Sequence, residues 1–390
     1  MSPRVAVTVV FALNGATLGS WAPRVPALAD RLQTEPGPLG LAMLCASVGM
    51  LLAASFSGRL IEAVGARAVN IGSGLAAAVL LPLVGFAPSV VLLGVALFGL
   101  GASVGVLDVA MNVAAVSVER QTGRPIMPTF HAGFSFGALA GSATAGLAAS
   151  HQWSPGRQLG VAAIAAVVVL LVVWRALPGA RPDPAAETAP APATAPVRRP
   201  VLWLLAAVAL CSAIAEGASS DWSALLMVTE HGVGDGAAAL AYSAFALAMA
   251  IARLGGAWMQ RRYGATRALA GGAAVAAIGL TAAAVLPVPA VAYVGFALAG
   301  AGLAACFPIA LGLAGEAGKR ADDSGGEREI AFVTAIAYTG FLAGPPLIGG
   351  IAQATSLSTS FVVVAVVAAI IMPAAIGAGL ARRRERVPVG

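Results

Sequence analysis

Apolar residues run through this chain in blocks of about 20 or more, long enough for a helix to cross the hydrocarbon of a bilayer. Each block ends where proline, glycine or charge accumulates. Twelve blocks, near residues 4–28, 38–61, 68–87, 89–117, 128–149, 156–177, 201–229, 236–259, 267–286, 290–313, 329–350 and 356–381, predict twelve transmembrane helices, spans 1 to 12. The opening "MSPRVAVTVVFALNGATLGSW" has one arginine ahead of its apolar run, as a signal peptide does. It lacks a small-residue cleavage site and reads as the first span. Between spans 6 and 7, "PGARPDPAAETAPAPATAPVRRP" forms no apolar face and reads as a flexible cytoplasmic linker. The expected organisation is a six-helix bundle over 1–177, the linker over 178–200, a second six-helix bundle over 201–381 and a basic tail over 382–390.

Composition sharpens this picture. With 59% hydrophobic and 10% charged residues the chain reads as an integral, all-α membrane protein. Its net charge of +6 is spread between apolar blocks rather than gathered into a stripe with aromatics, which argues against nucleic acid. If the N-terminus is cytoplasmic, only Arg24, Arg31 and Arg157 of the 23 lysines and arginines lie outside, so the positive-inside rule places both termini in the cytoplasm. The tail "ARRRERVPVG" follows from the same rule, with a lipid headgroup contact as a second use. Cys45, Cys211 and Cys306 are far apart in apolar runs and read as small core residues. No metal cluster, phosphate loop or nucleophile with a base is visible, so no cofactor, no metal and no enzymatic activity are expected.

The chain also repeats itself. "LNGATLGSW" from Leu13 aligns with "AEGASSDW" from Ala215, "GVALFGLGASVG" from Gly94 with "GFALAGAGLAAC" from Gly295, and "SFGALAG" from Ser135 with "YTGFLAG" from Tyr338. Three matches at nearly one offset point to a duplicated six-helix unit, and two such halves around a midplane site make an alternating-access carrier. The loop "GRLIEAVGAR" from Gly58 and its weaker copy "AWMQRRYGATR" from Ala257 resemble the cytoplasmic signature of the major facilitator superfamily. More narrowly, "SWAPRVPAL", "LDVAMN", "FHAGFSFG", "EGASSDW" and "GPPLIGG" resemble a bacterial subgroup near the fucose-permease-like sugar symporters. Departures are Glu62 where the signature has aspartate, Ala63 and Ala66 where basic residues are common, and a span 5 without the antiporter proline.

Within spans, ionisable residues mark function because each costs about 2.5 to 3.5 kcal/mol to insert. At about 100° per residue Asp108, Asn112 and Glu119 share one face of span 4. Asp108 is read as a proton carrier or as a structural hydrogen-bonding group, and Asn112 as a ligand for a substrate hydroxyl or a helix-pairing residue. Glu216 is the second intramembrane acid, with Ser219, Ser220 and Ser223 on or beside its face. The resemblance implies that the first helices of both halves line the cavity, so that Asn14 faces Glu216. Asn14, Thr17 and Trp21 then supply hydrogen bonds and an aromatic wall, and Tyr338 lines it from span 11. Asp221 either pairs with Arg24 or is solvated. Trp222 stacks on a sugar or anchors at the interface, and His131 relays protons or closes a helix end. Arg253 snorkels to headgroups. Glycines 133, 137, 141, 340 and 344 allow close helix packing. By resemblance Gly58, Arg59, Glu62, Gly65 and Arg67 form a cytoplasmic gating latch, joined by Glu119 and Arg124.

The expected function is proton-coupled symport of a polar, sugar-like solute across the bacterial cytoplasmic membrane, with Asp108 and Glu216 binding protons. The rival reading is proton-antiport efflux of lipophilic drugs or a natural product. The expected partners are a small-molecule substrate, protons and the lipid bilayer, without nucleic acid, and the expected state is a monomer. The charge bias makes one outcome checkable at once. Green fluorescent protein fused to either terminus is expected to fluoresce in a bacterial host, whereas alkaline phosphatase at the same places stays inactive.

Overall fold

The computed structural model describes residues 1–123, 126–179, 199–319 and 326–386, leaving out the side chains of residues 128, 257, 327 and 386. Among the described residues twelve helices are long and apolar enough to cross a membrane. Spans 1 to 6 are Pro3–Leu32, Pro36–Val64, Ala66–Phe86, Val90–Thr122, Thr129–Ser150 and Pro155–Ala176. Spans 7 to 12 are Pro200–Thr229, Asp235–Gly256, Ala265–Val285, Pro289–Gly318, Arg328–Ala354 and Leu357–Glu385. The apolar blocks of the sequence therefore become helices with ends displaced by only a few residues. Side-chain oxygens set several starts: Ser2 accepts from the Val5 N–H, Ser89 from Leu92 and Ser154 from Arg157. Span 1 is interrupted by a 3-10 turn at Ala22–Arg24, where Pro23 withholds a backbone donor. Span 10 breaks between Leu303 and Cys306.

The described residues pack into two compact units. Unit 1 draws on Met1–Thr188 and Ala224–Ser243, and unit 2 on Ala189–Ser223 and Ala244–Gly390. The end of span 7 and the first half of span 8 thus belong with spans 1 to 6. The sequence-based linker lies mostly outside the described residues.

Lipid tails are as apolar as leucine, so helices in a bilayer gain little by burying apolar faces against one another and associate through close van der Waals contact. Glycine supplies that contact in both units. A side chain at Gly15 or Gly19 of span 1 would strike the Phe134 or Ala138 carbonyl of span 5, and one at Gly137 would strike the Ala12 carbonyl in return. Spans 2 and 4 interlock the same way through Gly49 and Gly101. In unit 2, Gly272 faces Gly302 and Gly279 faces Gly295 across spans 9 and 10. Further along unit 1, Ser142 places its hydroxyl 2.6 Å from that of Ser243, while Gly146 and Gly236 keep spans 5 and 8 close. Many large apolar side chains also face outward, Val91 being 71% and Leu254 72% exposed, a surface suited to lipid and not to water.

Two short turns repeat between the units. Gly65 joins spans 2 and 3 at φ 83° and Gly264 joins spans 8 and 9 at φ 80°, a left-handed backbone that disfavours any residue with a Cβ.

Two alanine substitutions separate packing glycines from incidental ones. Gly137→Ala is expected to lower stability by about 1–3 kcal/mol through overpacking against span 1. Gly160→Ala, whose added methyl meets nothing within 4 Å, is expected to be neutral or mildly stabilising. Thermal melting of the purified variants in detergent checks both.

Candidate functional site

In unit 1 the polar residues of spans 1 and 4 meet at one level. Asn14 is 1% exposed, and its Nδ2 donates to the Met111 sulfur at 3.7 Å. Its Oδ1 is buried without a partner among the described residues. One residue on, Asn112 donates from Nδ2 to the Asp108 carbonyl oxygen at 2.8 Å, one helical turn back along its own helix. That bond holds the amide along the helix and leaves its oxygen uncommitted. Asp108 is half-buried, and among the described residues nothing hydrogen-bonds to or pairs with its carboxylate. Thr17 turns its hydroxyl back to the Leu13 carbonyl at 2.9 Å, and Trp21 is buried beside it on the same helix.

Glu119, the third member of the span 4 stripe, does something else. Its Oε1 accepts the Met127 N–H at 2.6 Å and so satisfies an otherwise open donor at the start of the helix that carries span 5. His131 lies exposed on that helix, its ring edge-on to Phe11 at 5.2 Å.

The latch residues divide in the same manner. Gly58, Arg59 and Glu62 are exposed, and no ion pair involves them among the described residues. Gly65 makes the turn, and Arg67 donates from Nε to the Leu177 carbonyl at 2.6 Å, tying the start of span 3 to the end of span 6. Arg124 lies outside the described residues.

Unit 2 contains an intramembrane ion pair. Arg253 of span 8 approaches the Glu216 carboxylate of span 7 at 3.2 Å, with side chains 39% and 24% exposed. This corrects the expectation that Arg253 snorkels to headgroups: a partly desolvated carboxylate on the neighbouring helix is a nearer counter-charge than a phosphate at the membrane edge. Ser219 is fully buried, its hydroxyl bonded to the Ala215 carbonyl at 2.8 Å, while Ser220 is half-buried and Tyr338 43% exposed. Trp222 is fully buried, which removes it from the lipid interface where the sequence allowed it.

Arg24, offered by the sequence as a partner of Asp221, makes no ion pair with it among the described residues, and several other charges register in the sequence only through the positive-inside rule. The three arginines assigned to the outer side are all absorbed locally. Arg24 is 3% exposed and donates to the Ala145 and Trp153 carbonyls at 3.5 and 2.5 Å. Arg31 caps span 3 through the Gly85 and Phe86 carbonyls, and Arg157 stacks 4.0 Å over the Trp153 ring. In unit 2, Arg199 joins the Ala317 carbonyl at 2.8 Å, Glu385 at 2.6 Å and Glu329 at 3.9 Å. It gathers the ends of spans 7, 10, 11 and 12. Its only sequence signal is the pair of arginines before Pro200.

Known proteins give this arrangement a family. The profile of the Major Facilitator Superfamily matches residues 7–326. An uncharacterized MFS-type transporter of Yersinia pestis is 33% identical over 93% of this chain and 92% of its own length. The fold resembles a crystal structure of the nucleoside transporter NupG, with a TM-score of 0.79 at 12% identity over 97% of this chain and all of that one. It also resembles an inward-facing bacterial homologue of the human lysosomal transporter Spinster, with a TM-score of 0.78 at 15% identity over 99% and 98% of the two chains. The chain therefore belongs to the Major Facilitator Superfamily, as a multi-pass membrane protein that transports a small solute and is not an enzyme.

Proposed function

We propose that this protein is a proton-coupled symporter of a small, polar, sugar-like solute, working as a monomer by alternating access in the bacterial cytoplasmic membrane with both termini inside. The observation that carries the reading is Asp108, an acid in the middle of span 4 whose carboxylate has no partner among the described residues. An intramembrane acid held for structure would have its hydrogen bonds supplied by neighbouring helices. One left open is available to water, to a proton and to a solute in turn. Asn112 and Asn14 flank it with an uncommitted amide oxygen each, both acceptors for hydroxyl groups of a polyol. Thr17, Trp21, Ser219, Ser220 and Tyr338 complete the proposed substrate set. NupG, named as a nucleoside transporter, shares this fold, which supports the reading of a small polar solute.

The two acids then have different tasks. Asp108 binds the coupling proton. Glu216 exchanges between its pairing with Arg253 and a protonated, unpaired form. A proton crossing 100 mV supplies about 2.3 kcal/mol, enough for roughly a fiftyfold solute gradient. Gly58, Arg59, Glu62, Gly65, Arg67, Glu119 and Arg124 act in gating.

In proteoliposomes with an imposed pH gradient, Asp108→Asn is expected to abolish uphill accumulation of a transported sugar or nucleoside. Downhill exchange should survive within about threefold, because the variant mimics the protonated acid. Undiminished uphill uptake would refute the proton role, and proton-driven expulsion of lipophilic compounds in place of sugar uptake would favour the antiport reading.

For the ion pair, Glu216→Gln leaves the Arg253 charge without its partner. The variant should lose about 1 kcal/mol, a figure discounted for the exposure of both groups. The double variant Glu216→Gln/Arg253→Gln should recover most of it in a double-mutant melting cycle.

A further inference from the structure

Unit 2 holds a cleft of about 610 Å³ where the turn between spans 8 and 9 meets the end of span 12. Its rim is basic and its floor apolar. Arg267 of span 9 and Arg383 of span 12 line it, and neither has a hydrogen-bond or ion-pair partner among the described residues. Arg382, also on the rim, is held by Glu316 at 2.6 Å. Glu385, a further acid at this end of span 12, is committed to Arg199 at 2.6 Å. Among the described residues no carboxylate pairs with Arg267 or Arg383.

We propose that this cleft binds the headgroup phosphate of an anionic phospholipid. Two unpaired guanidiniums converging at the end of membrane-spanning helices suit a phosphate, which each can meet with paired N–H donors. The helix of span 9 begins here at Ala265 with Gly264 before it and no side-chain cap, so its first backbone N–H groups add donors and the positive end of a dipole. Gly379 lets Thr266 lie against span 12, since a methyl group there would come within 2.7 Å of the threonine hydroxyl. The floor selects lipid over free phosphate. Ile376 and Leu380 remain 50% and 54% exposed beneath the arginines, an apolar strip on which an acyl chain can lie and for which an inorganic anion has no use.

The test uses the full-length protein in detergent micelles supplemented with phosphatidylglycerol, phosphatidylcholine or inorganic phosphate, read by thermal unfolding. A lipid that binds the folded state must raise the midpoint. Phosphatidylglycerol should raise it by about 3 °C or more above phosphatidylcholine, and inorganic phosphate should not. Arg267→Gln/Arg383→Gln should lose at least half of that rise while melting like wild type in phosphatidylcholine. Arg261→Gln/Arg384→Gln, which removes the same charge nearby without touching the cleft, should keep the rise. Equal shifts with both lipids, equal loss in the two double variants, or the full shift with inorganic phosphate would each overturn the proposal. If the cleft variant melts lower in phosphatidylcholine as well, native mass spectrometry of wild type decides. One retained phosphatidylglycerol per chain supports the site, and none overturns it.

Discussion

Backbone-to-backbone contact between helices is the constraint on which the rest of this structure depends. Hydrocarbon gives polar backbone groups nothing to bond to, so each span must be helical. It also gives helices no solvent to escape from, so their association rests on how closely two backbones can approach. Spans 1 and 5 meet through Gly15, Gly19 and Gly137, and spans 2 and 4 through Gly49 and Gly101. In unit 1 Asn14 of span 1 also meets Met111 of span 4, at the level where the polar residues cluster.

Many charges within or beside the apolar region are given a partner among the described residues, Asp221 of span 7 and Arg59 and Glu62 of span 2 being exceptions. Arg24, Arg31 and Arg157 are matched by carbonyls and an indole ring, Arg67 by a carbonyl, and Glu119 by a helix start. Glu216 and Arg253 match each other. Against this background the unmatched groups carry the functional argument. Asp108 stands open in the middle of a span, and Arg267 with Arg383 stands open at a membrane edge. A fold that satisfies so many of its charges locally leaves few sites where an external proton, solute or lipid can supply the missing counterpart.

Much of the candidate site is legible in the sequence. The positions of Asp108, Asn112 and Glu119 on one face of span 4 follow from helical periodicity, and Glu216 stood out as an acid in an apolar run. Their bonding was not legible. Periodicity puts Glu119 on the same stripe as Asp108, yet one caps a helix while the other stays open, because the start of the span 5 helix reaches only the lower turn. One helix viewed alone offers Arg253 no anion nearer than the headgroups. The acid that pairs with it lies 37 positions away in sequence, on the neighbouring helix.

By itself the sequence determined the twelve helices, their approximate ends and the membrane setting. Each of these follows from local hydrophobicity, proline and glycine placement, and the insertion cost of charge, quantities that need no knowledge of neighbours. Only the tertiary structure decided which glycines bear on a facing carbonyl, which arginines are consumed at helix ends, and which acids keep a free carboxylate. The reason is geometric. A partner within about 3 Å is set by the crossing of two helices, and a chain read one helix at a time does not contain that crossing.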